Sequence, residues 1–274
     1  MATPSLLPLI GVDFTSAPTR RKPITVARGR CIGHVLRLEA VDAFETFAAF
    51  EALLATPGPW LGAFDFPFGL PREFIESLGL GPDIGAVVAE LHRRCARRMD
   101  FRRLVDAWSN ARPRGQRLVH RRTDQAMPGF HSTSPLQTRY VPVGFMFFEG
   151  LQRLVAAGVG LPGMRAGDVR RTALEGYPGL LAFELVGRRS YKNDASADRL
   201  IARKDIVAAL EQGRTRLGLR LKLTPAMHER LVDDASGDSL DAVLCLLQAG
   251  WASGQPGYGL PACFDPLEGW IVSA

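Results

Sequence analysis

Apolar runs of strand length, each closed by a polar turn, dominate the N-terminal part of the chain. The predicted strands cover residues 7–16, 23–28, 33–40 and 60–65. The second and third alternate between apolar and polar positions, so together with the first they predict a meander on one side of a sheet. The first and fourth each end an apolar run on a single carboxylate, Asp13 or Asp65. Strand ends of this kind are where α/β folds carry chemistry.

Apolar residues at helical spacing predict helices between and after these strands. Asp42 stands three residues before Glu45, a pair that predicts the N-cap of a helix ending at Pro57-Gly58-Pro59. Other predicted helices run from about Val143 to Ala157, from Thr224 and from Asp238. The last of these is apolar on nearly every side beyond Asp241, which indicates a helix packed between two layers.

Residues 72–171 differ in character from the segments around them, because they predict Arg-rich helices followed by a polar loop. The order of strands and helices indicates the α/β class, with a mixed sheet flanked by helices. We therefore expect one domain over residues 1–274, with residues 72–171 as a largely helical, Arg-rich insertion within it.

Composition agrees with this architecture and excludes some alternatives. A chain of 274 residues, 46% hydrophobic and 23% charged, can bury a sizeable core. The four cysteines lack C-x-x-C spacing, which argues against a structural zinc site and against a disulfide framework. We expect a cytoplasmic protein with no signal peptide and no membrane span.

Positive charge is concentrated in one segment. From His92 to Arg122, eleven arginines stand against two aspartates, a local excess of +9 in a chain whose net charge is +6. Arg94, Arg98 and Arg102 recur at every fourth residue and are predicted to share one helical face. Such a face suits a polyanion and makes nucleic acid the expected partner. A solvated charge run is the alternative.

Two loops add candidates for substrate binding. His120 and His131 lie in a loop rich in groups that bind phosphate or water, and either is a candidate proton shuttle. Lys192 lies in a basic loop that begins at Gly187, where it is a candidate phosphate ligand. An exposed loop histidine and a solvated lysine are the structural alternatives.

Five carboxylates are candidate catalytic residues: Asp13, Asp65, Glu175, Asp238 and Asp241. Glu175 lies at a predicted strand end or turn, while Asp238 and Asp241 project from one face of the last helix near its N-terminus. Support of a turn is the structural alternative for the first three. A cap or helix N-terminal position explains Asp238, and partly Asp241, but does not require Asp241 to enter the core.

Two common motifs, one of nucleotide-binding proteins and one of serine hydrolases, are absent from the sequence. The chain contains neither a P-loop nor a G-x-S-x-G segment, so it gives no support to a Walker-type ATPase or a nucleophile-elbow hydrolase. Residues 79–85 imitate a dinucleotide-binding loop, but no strand precedes them and their spacing is wrong.

The order of several short segments resembles the family called domain of unknown function 429, a family of predicted RNase-H-like nucleases. The segments that carry the resemblance are Gly11–Ser16, Phe64–Pro71, Glu175–Pro178, Tyr191-Lys192, Asp241-Ala242 and Glu268–Ile271. The spacing of Asp238 and Asp241 also resembles the last helix of Holliday-junction resolvases.

The resemblance implies an RNase-H-like sheet with carboxylates on strands one and four and on a late helix. Acids on separate elements, with no lysine beside most of them in sequence, suit Mg²⁺ or Mn²⁺. Two such ions would support phosphodiester hydrolysis. Asp13 is expected to bridge them, Asp65 and Asp241 to complete one each, and Asp238 or Glu175 to position metal or water.

Two alternatives to this metal-dependent nuclease stay open at the sequence level. One is an ATP-dependent phosphotransferase of the sugar-kinase and actin type, which normally duplicates its core and adds glycine-rich phosphate turns. The other is a non-catalytic nucleic-acid-binding module, which would keep the arginines but leave one acid unable to reach a metal.

Overall fold

A computed structural model describes residues 7–127, 129 and 131–274 of the chain. Its strands are β1 (Leu9–Asp13), β2 (Ile24–Ile32), β3 (Val35–Phe44), β4 (Trp60–Asp65), β5 (Val159–Gly160), β6 (Asp168–Glu175) and β7 (Arg220–Lys222). They form one mixed sheet in the order β5-β6-β4-β1-β2-β3-β7. The chain is therefore of the predicted α/β class, with a mixed sheet of seven strands.

The order of strands in the sheet combines antiparallel and parallel neighbours. β1, β2 and β3 pair antiparallel, as the predicted meander requires. β4 pairs parallel with β1, and β6 pairs parallel with β4. Parallel neighbours need long crossover connections, which α1 and the helices of residues 72–171 provide. The carboxyl ends of β1, β4 and β6 therefore lie along one edge of the sheet.

Helical layers cover both faces of the sheet. The helices are α1 (Phe47–Leu54), α2 (Arg72–Ser77), α3 (Ile84–Arg94), α4 (Arg98–Asn110), α5 (Val143–Ala156), α6 (Pro178–Val186), α7 (Ala197–Glu211), α8 (Pro225–Asp233) and α9 (Asp238–Ser253). Ile10 and Val12 pack into the core formed with α1 to α5, and Leu9 packs into the core formed with α6 to α9. Because strand side chains alternate, Asp13 shares the face of Leu9.

Several predicted elements are confirmed. β4 has the predicted bounds, and α5 ends one residue before the predicted Ala157. Thr224 caps α8, since its Oγ1 accepts a hydrogen bond from the Met227 N–H at 3.3 Å. α9 begins at Asp238, and all its residues from Ser239 to Gly250 are buried. It lies between the sheet and the other helices of its layer.

The predicted Asp42 cap is wrong. β3 continues past Asp42 to Phe44, and the Asp42 carboxylate accepts from Arg28 Nε at 2.5 Å. The cap of α1 is Thr46, whose Oγ1 accepts from the Ala49 N–H at 3.2 Å. Pairing with β2 extends β3 through residues 41–44, beyond the strand end that the sequence pattern indicates.

The predicted continuous arginine face is also wrong. α3 ends at Arg94 and α4 begins at Arg98, with Cys95 extended at φ −124° and ψ 103°. The Asp100 carboxylate accepts from the Arg97 N–H at 3.0 Å and so stabilises a new helix N-terminus. Only Arg98 and Arg102 stay on one helix. Across the described residues, no helix combines the length and apolar character that crossing a membrane requires.

Candidate metal centre

Two of the predicted carboxylates stand side by side at the ends of adjacent strands. β1 and β4 are parallel, and their register pairs Asp13 with Asp65. Each aspartate is the last residue of its strand. Equal register in a parallel pair puts both side chains on the same face and at the same edge of the sheet.

α9 supplies a third carboxylate. Its backbone lies so close to β1 that a Cβ at residue 11 would overlap backbone atoms of Ala242 and Leu246. Gly11 therefore permits this approach. Asp241 precedes Ala242, and Gly11 lies two residues before Asp13 on the same face of β1. The close contact thus brings the carboxylate of α9 to the end of the strand.

Asp13, Asp65 and Asp241 form a candidate metal centre. One oxygen from each carboxylate lies within 4.8 Å of the other two. Asp241 is only 1% exposed, and the other two are partly buried. Around a small divalent cation such as Mg²⁺, adjacent ligand oxygens stand about 3 Å apart and opposite ones about 4.2 Å, which is close to the size of this cluster. The cluster could therefore hold a divalent cation.

Burial and mutual repulsion oppose the simultaneous ionisation of these acids. The pKa of Asp13 lies well above its usual value, first because of burial and then because of the charges of Asp241 and Asp65. Burial and Asp241 also raise the pKa of Asp65 to about 7, against the opposing effect of Lys192. A cation among them would favour the ionised forms.

Two consecutive residues hold Asp241 in place. Tyr191 donates its hydroxyl hydrogen to Oδ1 of Asp241, and Lys192 Nζ lies 2.5 Å from Oδ2. Burial lowers the pKa of Lys192, but Asp241 and Asp65 raise it more, so the lysine stays protonated. Little in the sequence beside the acids indicates a compensating lysine, because Lys192 reaches Asp241 from a distant loop.

The loop that carries Lys192 is anchored to the start of α9. Arg203 is 2% exposed and donates to the carbonyl oxygens of Tyr191 at 2.8 Å and Val232 at 2.7 Å. Gly237, at φ +82°, precedes α9, and a Cβ there would overlap the Lys192 side chain. These contacts fix the position from which Lys192 reaches Asp241.

Glu175 ends β6 beside the cluster but is bound differently. Arg121 Nη2 lies 2.6 Å from its Oε1, and Arg121 Nη1 lies 2.8 Å from its Oε2. Oε2 also accepts from the Phe68 N–H at 2.9 Å. Arg121 is itself buried and pairs with Asp124 at 2.8 Å. Both oxygens of Glu175 are therefore engaged within a buried ion-pair network, outside the three-carboxylate cluster.

A cavity of about 930 Å³ opens over the cluster. Its lining includes the three carboxylates together with Asp238, Lys192 and His131. Asp238 lies one turn before Asp241, and its charge contributes to the raised pKa of Asp13. His131 is exposed in the loop. The five predicted acids, Lys192 and His131 thus line one cavity, and Asp238 and His131 are not members of the three-carboxylate cluster.

The three predicted substrate-binding arginines are absent from the described lining of this cavity. Arg94 Nε pairs with Glu90 at 2.6 Å, and Arg102 Nε lies 3.8 Å from Asp106. Arg98 donates to the Ser16 carbonyl at 2.6 Å and so ties α4 to the turn after Asp13. Their contacts are with the protein itself.

Sequence reasoning missed the roles of Tyr191 and Arg121. Arg121 and Asp124 stood in a loop expected to bind phosphate or water, whereas they form a buried ion pair. Their spacing of three residues is a weak signal for such a pair. Nothing local to Tyr191 points to Asp241, which lies fifty residues later.

The fold and the site define an α/β protein with a cluster of three carboxylates that could hold a metal ion. Comparisons of the chain with protein-family models, with curated proteins and with solved structures found no match. Functional inference therefore rests on the geometry of the site.

Proposed function

We propose that this protein is a metal-dependent phosphodiesterase of RNase-H-like fold that hydrolyses nucleic acid. One observation carries the proposal: β1, β4 and α9 bring Asp13, Asp65 and Asp241 within 4.8 Å of one another. The resemblance implies an RNase-H-like sheet with carboxylates on strands one and four and on a late helix. The sheet order supports that arrangement.

The charge of the cluster supports a divalent cation such as Mg²⁺ or Mn²⁺. Three ionised carboxylates and the Lys192 ammonium leave a net charge of −2 in a largely buried site. A dication would balance this charge, and hard cations favour carboxylate oxygens. Once bound, Mg²⁺ or Mn²⁺ would lower the pKa of a coordinated water and stabilise charge on a phosphoryl oxygen.

The protein's own residues would supply orientation and charge balance. The paired strand ends hold Asp13 and Asp65 in fixed register, and Tyr191 fixes Oδ1 of Asp241. Lys192 bonds to Asp241 without the cation and would be free to contact a phosphate oxygen once Asp241 binds the cation. We also propose a second ion. Asp238 lies on the same helix as Asp241 and lines the same cavity, so its carboxylate could help to bind that ion.

The two alternatives gain less support from the same observations. The described residues build one seven-stranded sheet, not a duplicated core of the sugar-kinase and actin type. A non-catalytic module was expected to leave one acid unable to reach a metal, whereas all three lie in one cluster.

Cleavage assays test the proposal. Labelled single-stranded and duplex DNA and RNA would be incubated with the protein and Mg²⁺, Mn²⁺ or EDTA. We expect cleavage with at least one metal, none with EDTA, and none by the Asp13→Asn variant. That variant should remain folded, because it removes a carboxylate whose raised pKa shows that burial disfavours its charge.

Asp42→Asn is the matched control, since Asp42 is also a strand aspartate but pairs with Arg28 outside the cluster. It should cleave as the unmodified protein does. Failure to cleave any of these nucleic acids with either metal, by a protein that binds Mn²⁺, would contradict the nuclease and leave only a metal-binding protein.

A further inference from the structure

The turn between β1 and β2 carries three consecutive exposed cations, Arg20, Arg21 and Lys22. The Thr19 N–H donates to the Lys22 carbonyl at 3.0 Å, and the Lys22 N–H donates to Thr19 Oγ1 at 3.1 Å. Pro18 and Pro23 flank the closed turn and restrict its backbone. The three side chains are therefore presented on a preorganised turn.

This basic turn, residues 20–22, adjoins the metal centre. It follows Asp13 in the chain, and Lys22 lines the same cavity as the three carboxylates. The positive charge of Lys22 acts on Asp238 and opposes the rise of its pKa. Arg21 and Arg230 line a second hollow of about 440 Å³, and Asp238 lies in the walls of both this hollow and the cavity. The basic turn thus extends from the cavity to the neighbouring hollow.

The cations of the basic turn are available, whereas many arginines of the insertion are not. None of the three forms a salt bridge or a side-chain hydrogen bond among the described residues. Within residues 92–122, by contrast, six arginines pair with carboxylates: Arg93, Arg94, Arg102, Arg103, Arg112 and Arg121. High local arginine content there reflects internal ion pairing to a large extent.

We infer that the basic turn binds the phosphate backbone of a nucleic-acid strand whose reacting phosphate lies at the metal centre. This inference rests on the proposed nuclease function and names the surface that holds its substrate. A polyanion that approaches the carboxylate cluster is repelled by it, and three flanking cations offset that repulsion. Unpaired cations gain more from phosphate contact than cations already neutralised by carboxylates, because binding need not break an existing ion pair.

The position of the turn favours a strand over a mononucleotide. The cavity of about 930 Å³ is large enough to enclose one nucleotide at the carboxylates. Arg21 lies instead in the second hollow, beyond Asp238. That hollow also contains the carboxylates of Asp233, Asp234 and Asp238, so a phosphate near Arg21 would bind on the exposed side of the basic turn and not inside the hollow. A phosphate there would belong to a neighbouring nucleotide of the same strand.

Binding in EDTA tests the inference without requiring cleavage. A labelled single strand of about 20 nucleotides, longer than one such site, would be titrated by fluorescence anisotropy over a range of salt concentrations. The test variant combines Arg20→Ala, Arg21→Ala and Lys22→Ala. Each lost phosphate contact should reduce the slope of log K against log salt by about 0.7, so we expect a reduction of about 2. AMP serves as the mononucleotide probe.

The matched control combines Arg93→Ala, Arg94→Ala and Arg103→Ala, which removes the same charge from the insertion. We expect this control to keep most of the slope. AMP binding is compared in the control and in a variant with Arg20→Ala and Arg21→Ala alone, because Lys22 lines the cavity, and it should equal that of the unmodified protein in both. An unchanged slope in the test variant, an equal loss in the control, or a parallel loss of AMP binding would overturn the inference. Binding that depends on the turn without any cleavage would instead refute the nuclease and retain the surface.

Discussion

Two groups of acids meet at the same edge of the sheet, where Asp13, Asp65 and Glu175 end neighbouring strands, yet the two groups have opposite electrostatic surroundings. Glu175, at the end of β6, and Asp124 are both paired with the buried Arg121. Asp13 and Asp65, at the ends of β1 and β4, share with Asp241 one partly exposed lysine. Glu175 and the three aspartates line the same cavity. In the first group, one buried arginine lies against both acids, whereas in the second the cation lies against Asp241, and no side-chain hydrogen bond to Asp13 or Asp65 is found among the described residues.

The difference separates a structural network from a candidate functional site. A buried acid costs several kcal/mol of desolvation unless a partner offsets it, and Arg121 provides that partner for Glu175. The three aspartates retain an uncompensated charge, which the raised pKa values of Asp13 and Asp65 reflect. Burying acids together without a counter-ion lowers stability, and a bound cation would remove this effect. Strongly shifted pKa values are concentrated at functional sites for this reason.

The largest expected effect comes from the structural network. Arg121→Met leaves Glu175 and Asp124 buried without their counter-ion, and breaking such a pair costs about 3–5 kcal/mol. Urea unfolding should therefore give a free energy of unfolding lower by that amount. Glu175→Gln keeps a neutral hydrogen-bonding group beside Arg121 and should cost less.

Arg93→Ala is the control for this comparison, because the exposed pair of Arg93 with Glu90 should not change stability measurably. If Arg121→Met were no more destabilising than Arg93→Ala, the proposed division between the two groups of acids would be wrong.

A smaller change in the free energy of unfolding is expected from Asp65→Asn, and this change is an increase. The folded pKa of Asp65 is about 7, above the usual value of 3.8. The protonated acid favours folding, so its contribution is complete below pH 4 and is lost as pH rises to about 7. In EDTA, the variant should gain stability relative to the unmodified protein across this window, by about 1–3 kcal/mol, because solvent at this partly exposed carboxylate reduces the effect.

Urea unfolding at several pH values in EDTA measures this difference. Asp42→Asn, outside the cluster, should run parallel to the unmodified protein. Added Mn²⁺ should stabilise the unmodified protein more at pH 8 than at pH 6, because the ligands must lose protons to bind it. A constant difference between Asp65→Asn and the unmodified protein from pH 4 to pH 8 would contradict the uncompensated cluster.

Elements with strong local patterns were predictable from the sequence. β4 and α9 have apolar runs of the right length, and Thr224-Pro225 carries the chemistry of a helix start. Elements that depend on distant partners were not. β7 has only three residues and exists through its pairing with β3, and α7 has too even a mixture of charged and apolar residues for a clear pattern.

The acids of the candidate site were predictable from the sequence. Which of them form the three-carboxylate cluster and which are paired with a buried arginine was not. Asp13, Asp65 and Glu175 each follow apolar residues at the end of a strand, so the sequences immediately before them look alike. What distinguishes Glu175 is Arg121, which lies 54 residues away in the chain. Lys192 likewise reaches Asp241 across 49 residues. Sequence spacing carries no information on which distant cation arrives, because tertiary packing decides it.

The smallest expected effect concerns Lys192, the cation that the cluster already contains. Lys192→Met removes the ammonium from Oδ2 of Asp241, so the metal-free protein should lose about 1 kcal/mol of stability, as for a partly exposed pair. The same change removes a competitor for that oxygen, and Mn²⁺ should bind up to about tenfold more tightly, measured by isothermal titration calorimetry. Lys204→Met, at an exposed position of α7, should change neither quantity. Weaker Mn²⁺ binding by Lys192→Met would contradict this competition and would mean that the lysine holds Asp241 in position for the cation.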